Sequence, residues 1–200
     1  MDTEGCASLM NFYKEFESSY LHCGKIDLDW AQVQKDLITV KDEQSKNWSI
    51  IDNGTYTDAN SINNEYVKYG YNQNNTRSWK TTNFDPPIAF EWEDTVRKMF
   101  PLDNSIVTIH RQDPGQVLPW HWDRFMMLKK LFPNDTRPIW RFQVFLEDWK
   151  LGHILQIEDT VVHHWQQGDV IVWKPKTEHL AANVGLEKKW TCQVTGFLTV

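Results

Sequence analysis

The chain has 200 residues, 40% hydrophobic and 24% charged, which is the balance of a soluble globular domain and not of a disordered or fibrous segment. Its formal net charge of −6 disfavours phosphate-backbone binding as the main activity, because Lys and Arg drive that binding. Cys6, Cys23 and Cys192 have no CxxC spacing, which argues against a disulfide framework and a thiolate zinc site, and no apolar run approaches the roughly 18 residues of a membrane span.

The opening stretch, MDTEGCASLMNFYKEF, is acidic and too weakly apolar for a signal peptide, so the expected setting is cytoplasmic and reducing. The first helix is predicted over DWAQVQKDLI. Asp29 is its N-cap, and Trp30, Val33 and Leu37 recur at helical spacing. Residues 43–85 are rich in Asn, Tyr, Ser and Thr and read as turns and short exposed strands, a segment placed to cover the core or shape a substrate cleft. After Pro86-Pro87, FEWEDTVRKMF carries Trp92, Val96, Met99 and Phe100 on one helical face.

From about residue 105 the period changes to two. SIVTIHR, IWRFQVFLE, HILQIE, DVIVWK and WTCQVTGFLTV read as strands, short and separated by Gly or charged residues. Such strands predict an antiparallel sandwich or barrel, mainly β, within one domain of residues 1–200: helices and loops over 1–104 pack on a core over 105–200. In IWRFQVFLE, Trp140, Phe142, Val144 and Leu146 share one face. Arg141 and Gln143 share the other, which faces solvent if the aromatics form the core and faces inward if they pack against helices.

LPWHWDRF places His121 and Asp123 two apart, so on a strand they share a face while Trp120 and Trp122 share the opposite one. His179 follows the strand DVIVW and a turn containing Pro175, far enough along for a rolled sheet to bring it back to the first pair. Two imidazoles and one carboxylate leave coordination positions open. That suits non-haem Fe(II), whereas structural zinc wants four closed ligands. His110, His153, His163 and His164 read as surface or satisfied strand histidines.

The span IHRQDPGQVLPWHWD … WRFQVFLED … WQQGDVIVWKPKTEHLAANVGLEKKW resembles the Fe(II)/2-oxoglutarate-dependent oxygenases, nearest the aspartyl/asparaginyl β-hydroxylase-like branch. The resemblance covers about residues 105–198. It implies a double-stranded β-helix, a cupin-like jelly-roll barrel supported by the N-terminal helices. It implies that His121, Asp123 and His179 bind iron and serve catalysis, with 2-oxoglutarate and O₂ as co-substrates. Lys189, ten residues after His179, is similar to the residue that pairs with the distal carboxylate of 2-oxoglutarate, with Lys188 as its competitor. Arg141, Gln143 and His110, with Thr108, match positions around the co-substrate, which turns Arg141 inward.

The implied activity hydroxylates a C–H bond, with succinate and CO₂ as co-products. The expected substrate is a peptide or protein side chain (Asp, Asn or Pro-like) or a small metabolite, with neither nucleic acid nor a membrane as partner. Two other readings of the same barrel are a non-enzymatic small-ligand-binding protein and a metal-dependent hydrolase or isomerase. Trp120 and Trp122 are expected to bury against the supporting layer and hold the ligand strand in place.

Overall fold

The computed structural model describes residues 16–39, 48–49, 70, 77–82 and 90–199. Eleven strands are assigned among them. β1 is Leu21–Lys25, β2 Trp48–Ser49, β3 Arg77–Thr82, β4 Leu102–Gln112 and β5 Val117–His121. β6 is Ile139–Phe145, β7 His153–Ile157, β8 Thr160–Val162, β9 Asp169–Val172, β10 His179–Asn183 and β11 Lys189–Leu198. The helices are α1 (Trp30–Thr39), α2 (Glu91–Lys98) and α3 (Met126–Leu131).

The strands form a seven-stranded sheet in the order β1-β9-β6-β11-β4-β3-β2 and a four-stranded sheet in the order β5-β10-β7-β8. All pairings are antiparallel. The chain switches sheets between β4 and β5 and again between β5 and β6, as a jelly-roll requires. Most of residues 43–85 lies outside the described residues. Within it, β2 and β3 extend the large sheet beyond β4.

Alternation along the large sheet sorts its side chains. The outer set, Val107, Ile109, Phe142, Val144, Val170, Val172, Cys192 and Val194, packs with Val33 and Leu37 of α1 and Trp92 and Val96 of α2. Trp140, Phe142, Val144 and Leu146 do share one buried face, and it is this helix-covered one. Both helices start as their sequences indicate; the Gln32 amide donates to Asp29 Oδ1 at 3.1 Å and closes the N-cap of α1. On the inner side, Phe145 and Ile171 meet Leu155, Ile157 and Val162 of the small sheet, with Trp165 and Trp173 filling the interior.

The inner face is unusually polar along β4, β6 and β11. Thr108, His110 and Gln112 alternate with the outer residues of β4, and Lys189, Thr191, Gln193 and Thr195 do so on β11. The same alternation brings Arg141 and Gln143 inside, opposite Thr195 and Gln193. The helices take the aromatic face of β6, so hydrogen-bonding groups share the inner side of β4, β6 and β11 with the apolar cluster around Phe145.

Phe142 is fully buried, and its ring lies 4.7 Å from that of Phe100. Phe142→Ala is expected to cost about 3–5 kcal/mol, read as a lowered denaturant midpoint with an unchanged m-value.

Candidate metal centre

β5 and β10 are neighbours, and their register sets His121 opposite His179. The two imidazole rings lie 4.3 Å apart, centroid to centroid. β5 ends at His121, so Asp123 sits in the turn before α3 and not on the strand. That turn still returns its carboxylate to the imidazoles. Asp123 Oδ1 is 4.0 Å from His121 Nε2, and Oδ2 is 3.7 Å from His179 Nε2. One ligand atom from each of the three residues lies within 4.8 Å of the others. Among the described residues no other group of three His, Cys, Asp or Glu side chains comes together this way.

Each imidazole is committed on its far side. His121 Nδ1 lies 2.7 Å from the Pro119 carbonyl, and His179 Nδ1 lies 3.0 Å from the Thr177 carbonyl. A carbonyl only accepts, so Nδ1 carries the proton in both rings and each Nε2 offers a lone pair to the centre. This is the outer-sphere support that metal-bound histidines use. Burial lowers the pKa of His121. It also lowers that of His179, to about 4, with His121 adding to the shift, so both rings stay neutral near neutral pH.

Burial alone would raise the pKa of Asp123. The charge of Arg141, joined by His179, His121 and His110 when these are protonated at low pH, outweighs it and holds the carboxyl below its ordinary value. Asp123 Oδ1 accepts a 2.6 Å bond from Arg141. Oδ2 is buried and accepts none from the described residues. A buried carboxylate oxygen without a donor is costly unless a cation completes it. With two unprotonated Nε2 atoms beside it, the set fits a divalent ion bound by nitrogen and oxygen.

The remaining sequence candidates separate. Lys189 is buried on the inner face, where its ammonium donates to Gln112 Oε1 at 3.2 Å, the Ile154 carbonyl at 2.5 Å and the Ala182 carbonyl at 3.4 Å. Lys188 is exposed, so of the two only Lys189 faces the interior. Gln143 is buried and accepts at Oε1 from Gln193 Nε2 at 3.1 Å. Arg141 points inward, yet it spends its guanidinium on Asp123 and on Thr195 Oγ1 at 2.9 Å. His110 shares the inner face, near enough for its field to act on Asp123.

Trp120 and Trp122 are not buried against a supporting layer: they are 39% and 38% exposed. The helices α1 and α2 cover the large sheet, whereas β5 belongs to the small one. Trp122 carries the guanidinium of Arg124 at 5.2 Å from its ring centroid.

Sequence reasoning missed Thr195, Phe125 and Trp173. A narrow cleft beside the triad, too tight to hold a water molecule, is lined by Asp123, Phe125, Arg141, Trp173, Lys174, Pro175, Lys176 and Thr177. Thr195 was accessible from alternation, since it is in phase with Lys189 on β11. Nothing local marks Phe125, which adopts the left-handed conformation at φ 52°.

No protein-family model and no curated protein matches the chain. Solved structures do. The chain is similar to SnoK, a non-heme alpha ketoglutarate dependent carbocyclase from nogalamycin biosynthesis, with a TM-score of 0.60 and 13% identity over 98% of this chain and 83% of that one. It is also similar to AviO1 from Streptomyces viridochromogenes Tue57, with a TM-score of 0.52 and 13% identity over 95% and 93%. The fold is a double-stranded β-helix.

In this double-stranded β-helix, the triad sits where β5 and β10 meet, beside the cleft. Lys189 lies deeper, three residues of strand from His179 at the level of Ala182, about 10 Å along β10. The interior thus runs from a metal-ligand set at one end to a buried cation at the other.

Proposed function

We propose that the protein is an Fe(II)- and 2-oxoglutarate-dependent dioxygenase that hydroxylates a C–H bond. The observation that carries this is the His121–Asp123–His179 set, half-buried to buried, whose two Nε2 lone pairs and Asp123 carboxylate bring ligand atoms within 4.8 Å of one another. A three-ligand set on one face of an ion leaves positions for a chelating co-substrate and O₂. When bound, the iron supplies O₂ activation coupled to decarboxylation of 2-oxoglutarate to succinate and CO₂.

The chain's own residues supply binding, orientation and exclusion of water. Lys189 receives the distal carboxylate. It is buried and its three hydrogen-bond partners are all neutral, with the Glu147 carboxylate acting on it through its field alone, so an anion in the interior would give it a direct charged partner. Gln143 and Gln193 offer amide groups on the inner face between Lys189 and the Arg141–Thr195 level. Trp173, its ring 4.8 Å from that of His179, and Phe125 wall the centre from solvent. The substrate is a peptide or protein side chain or a small metabolite.

The test is anaerobic titration with Fe(II), with and without 2-oxoglutarate, followed by succinate measurement after O₂ is admitted. The expected result is a visible charge-transfer band that needs both Fe(II) and 2-oxoglutarate, and then succinate. Absence of succinate, together with no thermal shift by 2-oxoglutarate, would turn the reading toward a ligand-binding barrel. Turnover of a substrate with zinc or manganese in the absence of O₂ would turn it toward a hydrolase or isomerase.

A further inference from the structure

Arg141 occupies an odd position for a residue with a free choice of anions. A guanidinium set for a plain ion pair takes both oxygens of a carboxylate side-on. Arg141 does not. Its Nη1 donates to Asp123 Oδ1 at 2.6 Å, while its Nε is diverted to Thr195 Oγ1 at 2.9 Å. The face of Phe125 supports the guanidinium from a third direction, 5.2 Å from carbon to ring centroid. Phe125 is itself packed against Ile106, Leu128, Ile139 and Phe197. The fork is therefore anchored on β11 and on the base of α3, and it reaches Asp123 as a fixed arm.

The consequence falls on the carboxylate. Asp123 follows the end of β5, so no strand ladder sets its orientation. Arg141 engages Oδ1, and the oxygen left over, Oδ2, is the one without a donor and 3.7 Å from His179 Nε2.

We propose that Arg141 is a positioning residue for metal ligation, holding Asp123 Oδ1 so that the carboxylate presents Oδ2 alone to the ion. Thr195 fixes the arm. The inference rests on the reading that the triad holds a divalent ion. It assigns Arg141 to the carboxylate ligand instead of to the co-substrate.

The test uses Co(II) alone on the full chain, without 2-oxoglutarate, with affinity from chelator competition and coordination from the visible bands. Arg141→Lys keeps the charge and loses the fork, so electrostatic repulsion of the ion is not altered. It is expected to weaken Co(II) binding about 10–100-fold, the usual effect of losing an outer-sphere partner, and to shift the bands as Asp123 becomes free to use both oxygens. Thr195→Val, which removes only the anchoring hydroxyl, is expected to move both readouts the same way by less, and it serves if the arginine variant fails to fold. Wild-type Co(II) affinity and bands in both variants would overturn the inference. So would unchanged Co(II) binding in Arg141→Lys with weakened addition of 2-oxoglutarate to the loaded protein, because Arg141 would then be a co-substrate contact. If His179→Ala also binds Co(II) as wild type does, the triad reading fails and takes this inference with it.

Discussion

His179→Ala is expected to abolish stoichiometric Fe(II) or Co(II) binding and, with it, any succinate formation from 2-oxoglutarate. The loss should exceed the roughly 10–100-fold that removal of an outer-sphere partner costs, since a ligand atom itself disappears. The reason is local. His179 has 4% of its side chain exposed, its Nδ1 is fixed on the Thr177 carbonyl, and its ring is flanked by those of His121 and Trp173. No other described histidine, cysteine or carboxylate joins the group within 4.8 Å, so none is in place to supply the lost nitrogen. Calorimetric titration of wild type and variant checks this, with circular dichroism confirming that the barrel persists. Retained one-to-one binding would remove the triad from the mechanism. Asp123→Ala is a softer test, because two imidazoles remain and water can take the vacant position.

The route to this site was partly legible in the chain. Period-two alternation was enough to collect Trp140, Phe142 and Val144 on one face and to leave a single inward position for the Lys188–Lys189 pair, whereas His121 and Asp123 meet through a turn and not through a shared strand face. Alternation could not say which face was inside. On the pattern alone, Arg141 and Gln143 belong to solvent, because a strand with one aromatic face normally turns it to the core. Here α1 and α2 cover that aromatic face and the small sheet covers the other, so both sides of β6 are buried.

Three features needed long-range information. The end of β5 at His121 is set by the chain leaving the small sheet, which no spacing rule marks, and so Asp123 was placed on a strand that stops short of it. The exposure of Trp120 and Trp122 follows from which sheet the helices cover. The Arg141–Asp123 bond joins residues 18 apart in sequence and crosses from the large sheet to the turn that follows β5 of the small one. Helix α3, only six residues long and carrying Lys129 and Lys130 beside its single buried leucine, lacks the repeated apolar face that makes longer helices readable.

The second large effect concerns pH. Affinity for 2-oxoglutarate is expected to be level below about pH 7 and to fall above it, approaching tenfold per pH unit, as Lys189 loses its proton. Burial pushes the Lys189 ammonium from the ordinary lysine range down to about 7, against the Glu147 carboxylate, which raises it. Its other described neighbours carry no negative charge. Gln112 and the carbonyls of Ile154 and Ala182 are neutral, the ring of Trp165 lies 5.8 Å away, and burial lowers the pKa of His153. The sign follows from which form binds. A dicarboxylate is held by the protonated amine, so below about pH 7 the free protein already carries the charge and binding takes up no proton. Above it, each binding event must first protonate Lys189, and affinity declines until the pKa of the complex is reached. Lys189→Arg keeps its charge throughout this range and should flatten the profile even if its longer fork binds less well. Lys189→Met should lose roughly 2–5 kcal/mol of co-substrate binding, the usual cost of removing one partner of a buried charge pair, while leaving Co(II) affinity intact. A steep decline above neutrality in wild type, flat in the arginine variant, ties the deep end of the barrel to the distal carboxylate. The same decline in both proteins would place the titrating group elsewhere.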